Sequence, residues 1–280
     1  MKYLIVGGDD RLVYLAKLLH DDGNEVSCFA LDAVGLPQSV VQTDSIGAAD
    51  CVVLPLPAEV RHGALNAPYS KKVHSLSEIL GRIPEETVVC GGKLSNQIRA
   101  AAEKNRLRIY DYMARPEFTV GNAAVTAEGA VAALMSNLKS TLFGSSVLVV
   151  GYGRIGKLLA DKLRGLNVRT CVMSRNSEAR ALAEGMGLSA IAPNADAAIL
   201  SAFDAVVNTA PAPFAGPLEA LRHDCILLEL ASSPGFDAEE AAKLGLRHIA
   251  APGLPGKYAP QTAARLIYES VQNIIGEIGK

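Results

Sequence analysis

The chain is 280 residues long, carries a formal net charge of −2 and is 49% hydrophobic, enough apolar material for one large or two ordinary domains. No run of Lys and Arg is interleaved with aromatics, which points away from nucleic acid as a partner. Residues 1–6 are too short for a signal core before Gly7-Gly8-Asp9-Asp10, and no apolar segment reads as long enough to span a bilayer, so a cytoplasmic protein is expected.

In chain order, residues 3–6 predict a strand, Gly7-Gly8 a turn, Leu12, Leu15, Leu18 and Leu19 a helix, and residues 25–30 a second strand. This resembles the opening of a nucleotide-type fold. The turn lacks the full glycine fingerprint, however, and Asp9 and Asp10 would oppose a pyrophosphate, so residues 1–121 are read as a degenerate Rossmann-like domain that binds substrate. Residues 49–58 predict a strand ending in a proline-rich loop, and residues 87–90 another strand. Ala127, Val131, Leu134, Met135, Leu138 and Leu142 recur at helical spacing and predict a linking helix over 122–143. Residues 144–256 then repeat the design of the first half, with strands predicted at 147–150, 168–173 and 225–230, and a counterpart of 49–58 at 203–212. After Pro260, the stripe Ala263, Leu266, Ile267, Val271, Ile274, Ile275 and Ile278 predicts a helix within 257–280 that packs back towards the first domain. The expected fold is α/β, with two doubly wound Rossmann-like domains of parallel strands joined by two long helices, and ligands collected in a cleft beyond the strands' carboxyl ends. The cysteines Cys28, Cys51, Cys90, Cys171 and Cys225 lie in apolar, mostly strand-like runs without a C-x-x-C pair. They read as buried, reduced thiols, with no disulfide framework and no metal site.

The most informative stretch is the apolar run entering Gly151-Tyr-Gly153-Arg154-Ile155-Gly156, followed by a helical stripe of Leu158, Leu159 and Leu163. Gly151 permits a tight turn, Gly153 lets the backbone approach a pyrophosphate, and Gly156 allows close helix–strand packing, with the phosphate at the helix N-terminus. An NAD site usually places Asp or Glu about 20 residues past such a turn. Here Ser174-Arg175-Asn176 stand there; a hydroxyl, a guanidinium and an amide suit the 2′-phosphate of NADP. Asn208, Thr209 and Ala210, at the end of the 203–212 strand, and Ser232, after the 225–230 strand, are placed for cofactor contacts. Glu229 lies within an apolar strand, either a general base or a carboxylate paired with neighbouring backbone or a cation. Asn122, Thr126 and Glu128 precede or begin the linking helix, where capping is the alternative to a substrate role. His20, His62, His74, His223 and His248 are dispersed without metal-ligand spacing.

The segments ARPEFTVGNAAVTAEGA (114–130) and APGLPGKYAPQTA (251–263), together with the fingerprint between them, resemble the dipicolinate synthase A chain family over nearly the whole length. The two-domain layout is also similar to that of D-2-hydroxyacid and alanine dehydrogenases. The resemblance implies oxidation of dihydrodipicolinate to pyridine-2,6-dicarboxylate, NADP as hydride acceptor, the flavoprotein-like second subunit of dipicolinate synthase as partner, and the mother cell of a sporulating bacterium as the setting. A homo-oligomer is also expected. Cations must then fix the two substrate carboxylates. Arg115 and Lys257 are the first candidates because both lie in the resembling segments, with Lys93 and Arg11 behind them. Two other readings stay open: an NAD(P)-dependent amino- or hydroxy-acid dehydrogenase, for which only His248 lies near the position of a base, and a non-catalytic dinucleotide-binding subunit that organises a partner enzyme.

Overall fold

The structure is a computed structural model that describes residues 1–279. The chain divides into two compact units, residues 1–122 with 259–280, and residues 123–258. Unit 2 is therefore inserted into unit 1.

Unit 1 is built on β1 (Lys2–Val6), β2 (Glu25–Phe29), β3 (Val41–Thr43), β4 (Cys51–Val53), β5 (Val88–Gly91) and β6 (Arg108–Asp111), with helices α1 (Asp10–Asp21), α2 (Leu76–Leu80) and α3 (Asn96–Lys104). The strands are all parallel in the order β3-β2-β1-β4-β5-β6. Tyr3 to Val6 and Cys51 to Val53 are buried on both faces, as central parallel strands must be when helices cover each side. One face, with Tyr3, Ile5 and Val53, packs on Leu12, Leu15 and Leu19 of α1. The other, with Leu4, Val6 and Val52, packs on Leu76, Ile79 and Leu80 of α2 and Ile98 of α3.

Helix α4 (Pro116–Asn137) carries the chain into unit 2. It starts and stops earlier than the spacing suggested: Pro116 occupies its first turn, where a missing N–H costs nothing, and Leu142 belongs to the loop after it. It is also the one described helix long and apolar enough by composition to cross a bilayer, which corrects the expectation that no such segment exists; half of its most apolar stretch is buried. Ala127, Ala130, Ala133 and Leu134 sit in the unit 2 core, which explains the apolar composition without a membrane.

Unit 2 comprises β7 (Ser146–Val150), α5 (Arg154–Gly165), β8 (Arg169–Met173), α6 (Ser177–Gly185), β9 (Ser189–Ile191), α7 (Ala197–Leu200), β10 (Ala205–Asn208), β11 (Ile226–Glu229), α8 (Ala238–Lys243), β12 (Arg247–Ala250) and α9 (Leu254–Tyr258). Its parallel sheet runs β12-β11-β10-β7-β8-β9. Counted from each unit's first strand, both sheets have the order 3-2-1-4-5-6 of the dinucleotide-binding fold. The chain returns to unit 1 as α10 (Pro260–Ile278), whose Ala264, Ile267, Val271 and Ile274 complete the core against α1.

Candidate functional site

In unit 2, β7 is followed by Gly151, whose φ of 91° suits glycine and whose N–H donates to the Met173 carbonyl at 2.9 Å. A Cβ at Gly156 would collide with the Gly151 carbonyl, so the helix lies as close to the strand as backbone allows. Gly153 differs: a Cβ there would meet nothing within 4 Å. Its lack of a side chain leaves space that no protein atom fills, as a close-approaching pyrophosphate requires. Gly153 is also the N-cap of α5 and supplies no side-chain acceptor, and the first turn of α5 holds Arg154 and no acid. The first amides of α5 are thus left to an anion. Ile155, in the same turn, is half-buried.

The end of β8 forms one wall of a cleft of about 230 Å³ that also includes Gly151, Ala210 and Pro213. Ser174, Arg175 and Asn176 line it, and no carboxylate does. Ser174 Oγ accepts from the Asn176 N–H at 3.2 Å. Asn176 caps α6, its Oδ1 accepting from Glu178 N at 2.8 Å and Ala179 N at 3.3 Å. The Arg175 side chain is exposed, with no hydrogen bond or ion pair among the described residues. Arg180, which sequence reasoning missed, holds this turn from beneath: its Nη1 donates to the carbonyls of Ser174 (2.7 Å) and Arg175 (3.1 Å). Pro193, after β9, and Ala212 and Ala215, after β10, add an apolar lining; the proline-rich run was the signal for the second pair only.

Asn208, Thr209 and Glu229 act behind this surface. Glu229 is buried and its two carboxylate oxygens accept four hydrogen bonds, Oε1 from Asn208 Nδ2 (2.8 Å) and Ala231 N (3.0 Å), Oε2 from Gly235 N (2.7 Å) and Phe236 N (3.3 Å). The backbone-paired alternative is the one seen, and its lone pairs are spent on organising the loop after β11. Asn208, fully buried, ties that carboxylate to the loop after β10 by donating to the Ala210 carbonyl and accepting from Ala210 N. Thr209 Oγ1 donates to the Val150 carbonyl at 2.9 Å. Ser232 is exposed on the loop that Glu229 holds and is not among the residues lining the cleft.

The corresponding turn of unit 1 is closed by its own atoms. Gly8 N donates to the Asn66 carbonyl at 2.8 Å, and Asp9 caps α1 by accepting from Arg11 N at 3.1 Å. Arg11 is buried and forks onto the same carboxylate, Nε to Oδ1 and Nη2 to Oδ2, both at 2.8 Å. Burial pulls this guanidinium down, but its bonds to Asp9 outweigh that and raise it above its ordinary value. Asp10 accepts from the Tyr69 hydroxyl at 2.6 Å. A carboxylate therefore fills the helix terminus that in unit 2 stays open.

Of the expected substrate cations, Lys257 lies on α9, exposed and without a hydrogen bond or ion pair among the described residues. Arg115 is engaged within unit 1: Nε donates to Glu117 at 2.8 Å, and Nη1 and Nη2 donate to the two oxygens of Glu277 at 2.7 and 2.6 Å. A substrate carboxylate there would have to displace Glu277. Lys93 is exposed with φ 55°, its N–H bonded to Asp111. Asn122, Thr126 and Glu128 lie inside α4, not at its start, and Glu128 pairs with Lys162 at 2.9 Å. All five cysteines are buried; burial pushes the thiols of Cys28 and Cys225 up to about 12, which keeps them protonated and inert.

Residues 2–113 match the family model of the N-terminal domain of the dipicolinate synthase A chain, and residues 119–213 that of the NAD binding domain of D-isomer specific 2-hydroxyacid dehydrogenases. The dipicolinate synthase A chain of Bacillus subtilis (strain 168) is 25% identical over 287 residues, covering 99% of this chain and 97% of that protein. The crystal structure of the dipicolinate synthase A chain from Bacillus halodurans superposes with a TM-score of 0.87 at 25% identity, covering 98% of this chain and 97% of that one. The crystal structure of the Bacillus subtilis dipicolinate synthase A chain gives a TM-score of 0.84 at 25% identity, over 100% of this chain and 97% of that one. With a glycine turn closed by Asp9 in one unit and a dehydrogenase-type dinucleotide turn in the other, the chain is similar over nearly its whole length to dipicolinate synthase A chains and carries the dinucleotide-binding domain of an oxidoreductase-like family.

Proposed function

We propose that this chain oxidises dihydrodipicolinate to dipicolinate with NADP, in partnership with a flavoprotein-like second subunit, in the mother cell of a sporulating bacterium. The observation that carries the cofactor assignment is the unpaired Arg175 on the wall of a carboxylate-free cleft beside the dinucleotide turn. Loss of one hydride and one proton makes the substrate ring aromatic, and bound NADP supplies the hydride acceptor. The amides opening α5 and the side chain of Arg154 hold the pyrophosphate, and Ser174 and Arg175 hold the 2′-phosphate. Arg180 keeps the Ser174-Arg175 backbone in position for that contact, and Asn208 with Glu229 fixes the two neighbouring loops. Because Glu229 already accepts four hydrogen bonds, it holds the scaffold and the proton leaves by another route, to water or to the second subunit. Lys257, exposed and without a partner among the described residues, is one cation of unit 2 open to a substrate carboxylate.

The test generates dihydrodipicolinate in place from aspartate semialdehyde and pyruvate and follows dipicolinate and NADPH together, with this chain, its partner and the mixture. The expected result is one NADPH per dipicolinate in the mixture, lost when Gly153→Val blocks the turn. Dipicolinate formation undiminished by that substitution overturns the proposal. Dinucleotide binding without turnover by any combination supports the non-catalytic reading instead.

A further inference from the structure

Unit 1 keeps the whole strand order of a dinucleotide fold yet has shut its dinucleotide seat. The Gly8 amide is bonded to Asn66, Leu65 and Ala67 crowd Gly7, and the Asp9 carboxylate takes the place at the α1 terminus that a phosphate would occupy. What this closure leaves is a guanidinium in a fixed pose. Arg11 is only 6% exposed. Its Nε and Nη2 are locked onto Asp9, and Nη2 also donates to the Leu56 carbonyl at 2.6 Å. Nη1 has no partner among the described residues, although every other nitrogen of the group is used. Nor is Nη1 sealed in protein, since the one sealed side-chain nitrogen or oxygen lacking a partner there is His248 Nε2. A buried, ionised, pre-oriented donor that opens only through Nη1 is suited to a single small anionic group.

We propose that Arg11 is a substrate-binding residue of unit 1, its Nη1 taking one carboxylate of a small dicarboxylate, with Asp9 as the positioning residue that sets the guanidinium. This rests on the dicarboxylate reading given above. Asp9 cancels most of the Arg11 charge, so the site selects by hydrogen-bond direction more than by net charge; a pyrophosphate, needing several donors, is excluded, and a carboxylate is accepted.

The experiment titrates wild type and Arg11→Gln with pyridine-2,6-dicarboxylate, pyridine-2-carboxylate and malonate, with an NADPH titration as control on the other unit. Arg11→Gln is expected to weaken the 2,6-dicarboxylate about tenfold or more, the size of a lost bond to a charged group, to remove the preference over the monocarboxylate, and to leave NADPH affinity unchanged. Should that variant fail to fold, Asp9→Asn, which keeps a capping oxygen and the guanidinium, reads the same shift in preference at smaller size. An unchanged preference in a folded variant overturns the assignment, because a purely structural Arg11 would alter the melting temperature and not the ratio between ligands. If wild type takes malonate but not dipicolinate, and the loss still follows Arg11, the anchor stands and the dipicolinate reading falls. If dipicolinate binds wild type and variant alike, the reverse holds. Wild type that binds none of the three carboxylates overturns the anchor.

Discussion

The proposed preference for NADP rests on one side chain, Arg175. Arg175→Ala is expected to weaken NADP by about 1.5 to 3 kcal/mol, the range for hydrogen bonds to charged groups, and to leave NAD nearly unchanged. Parallel titrations of both dinucleotides check this, and equal losses would show that Arg175 holds their common part. The glycines and Ser174-Arg175-Asn176 were legible in the sequence because each acts through its own local geometry at a fixed distance from one strand. For Glu229 the sequence left a general base and a paired carboxylate both open, because its bonds come from Asn208 on the neighbouring strand and from backbone N–H groups up to Phe236, and an apolar strand conceals which partners will arrive. Arg180 was invisible for a related reason: its target is a carbonyl, and carbonyls leave no mark in composition.

Helices α1 and α5 start from equivalent turns and differ in what occupies the first amides. Asp9 caps α1 with its side chain, and Gly153 leaves α5 uncapped. Gly153→Asp should therefore gain a few tenths of a kcal/mol in stability by capping α5 while abolishing dinucleotide binding, since the new carboxylate takes the pyrophosphate's place. A raised melting temperature with lost NADP binding is the expected pair of readings; retained binding would show that the phosphate sits elsewhere. A second element-scale device joins the segment before α4 to the end of α10 through Arg115, Glu117 and Glu277. Arg115 holds the Glu117 carboxyl below its ordinary value. A carboxyl lowered on folding stabilises fully above its ordinary value, about 4.3, and loses that contribution as pH falls from there through the lowered value of the folded state. The melting-temperature gap between wild type and Arg115→Ala should thus shrink on acidification below about pH 4, and a gap independent of pH would assign the effect to packing. Long helices and central strands were legible because burial writes their period into the sequence. β3 and β9 were not: each has three residues, none of them buried, and so carries little hydrophobic pattern.

At the scale of the molecule, the internal echo between residues 49–58 and 203–212 proved to be a full repetition of strand order, one sheet per unit. The repetition was legible because both copies need the same buried central strands; the loss of one binding turn was legible in Asp9 and Asp10, whereas the fork of Arg11 onto Asp9 was not. Removing α10 strips Ala264, Ile267, Val271 and Ile274 from the core of unit 1 and takes nothing from the core of unit 2. A chain ending at Tyr258 should accordingly lose cooperative melting of unit 1 yet still bind NADP; loss of both would show that unit 2 depends on its host. The insertion of one unit within the other also orders events on the ribosome. Domains generally fold as units, the earlier one first during synthesis. Here the order is inverted, because residues 123–258 are complete before α10 has been made, while the sheet of residues 1–122 waits with its α1 face uncovered. Nascent chains stalled before Pro260 should resist protease in the later-made unit and be cut in the earlier one, and through that interval the waiting face is the surface that a chaperone would engage.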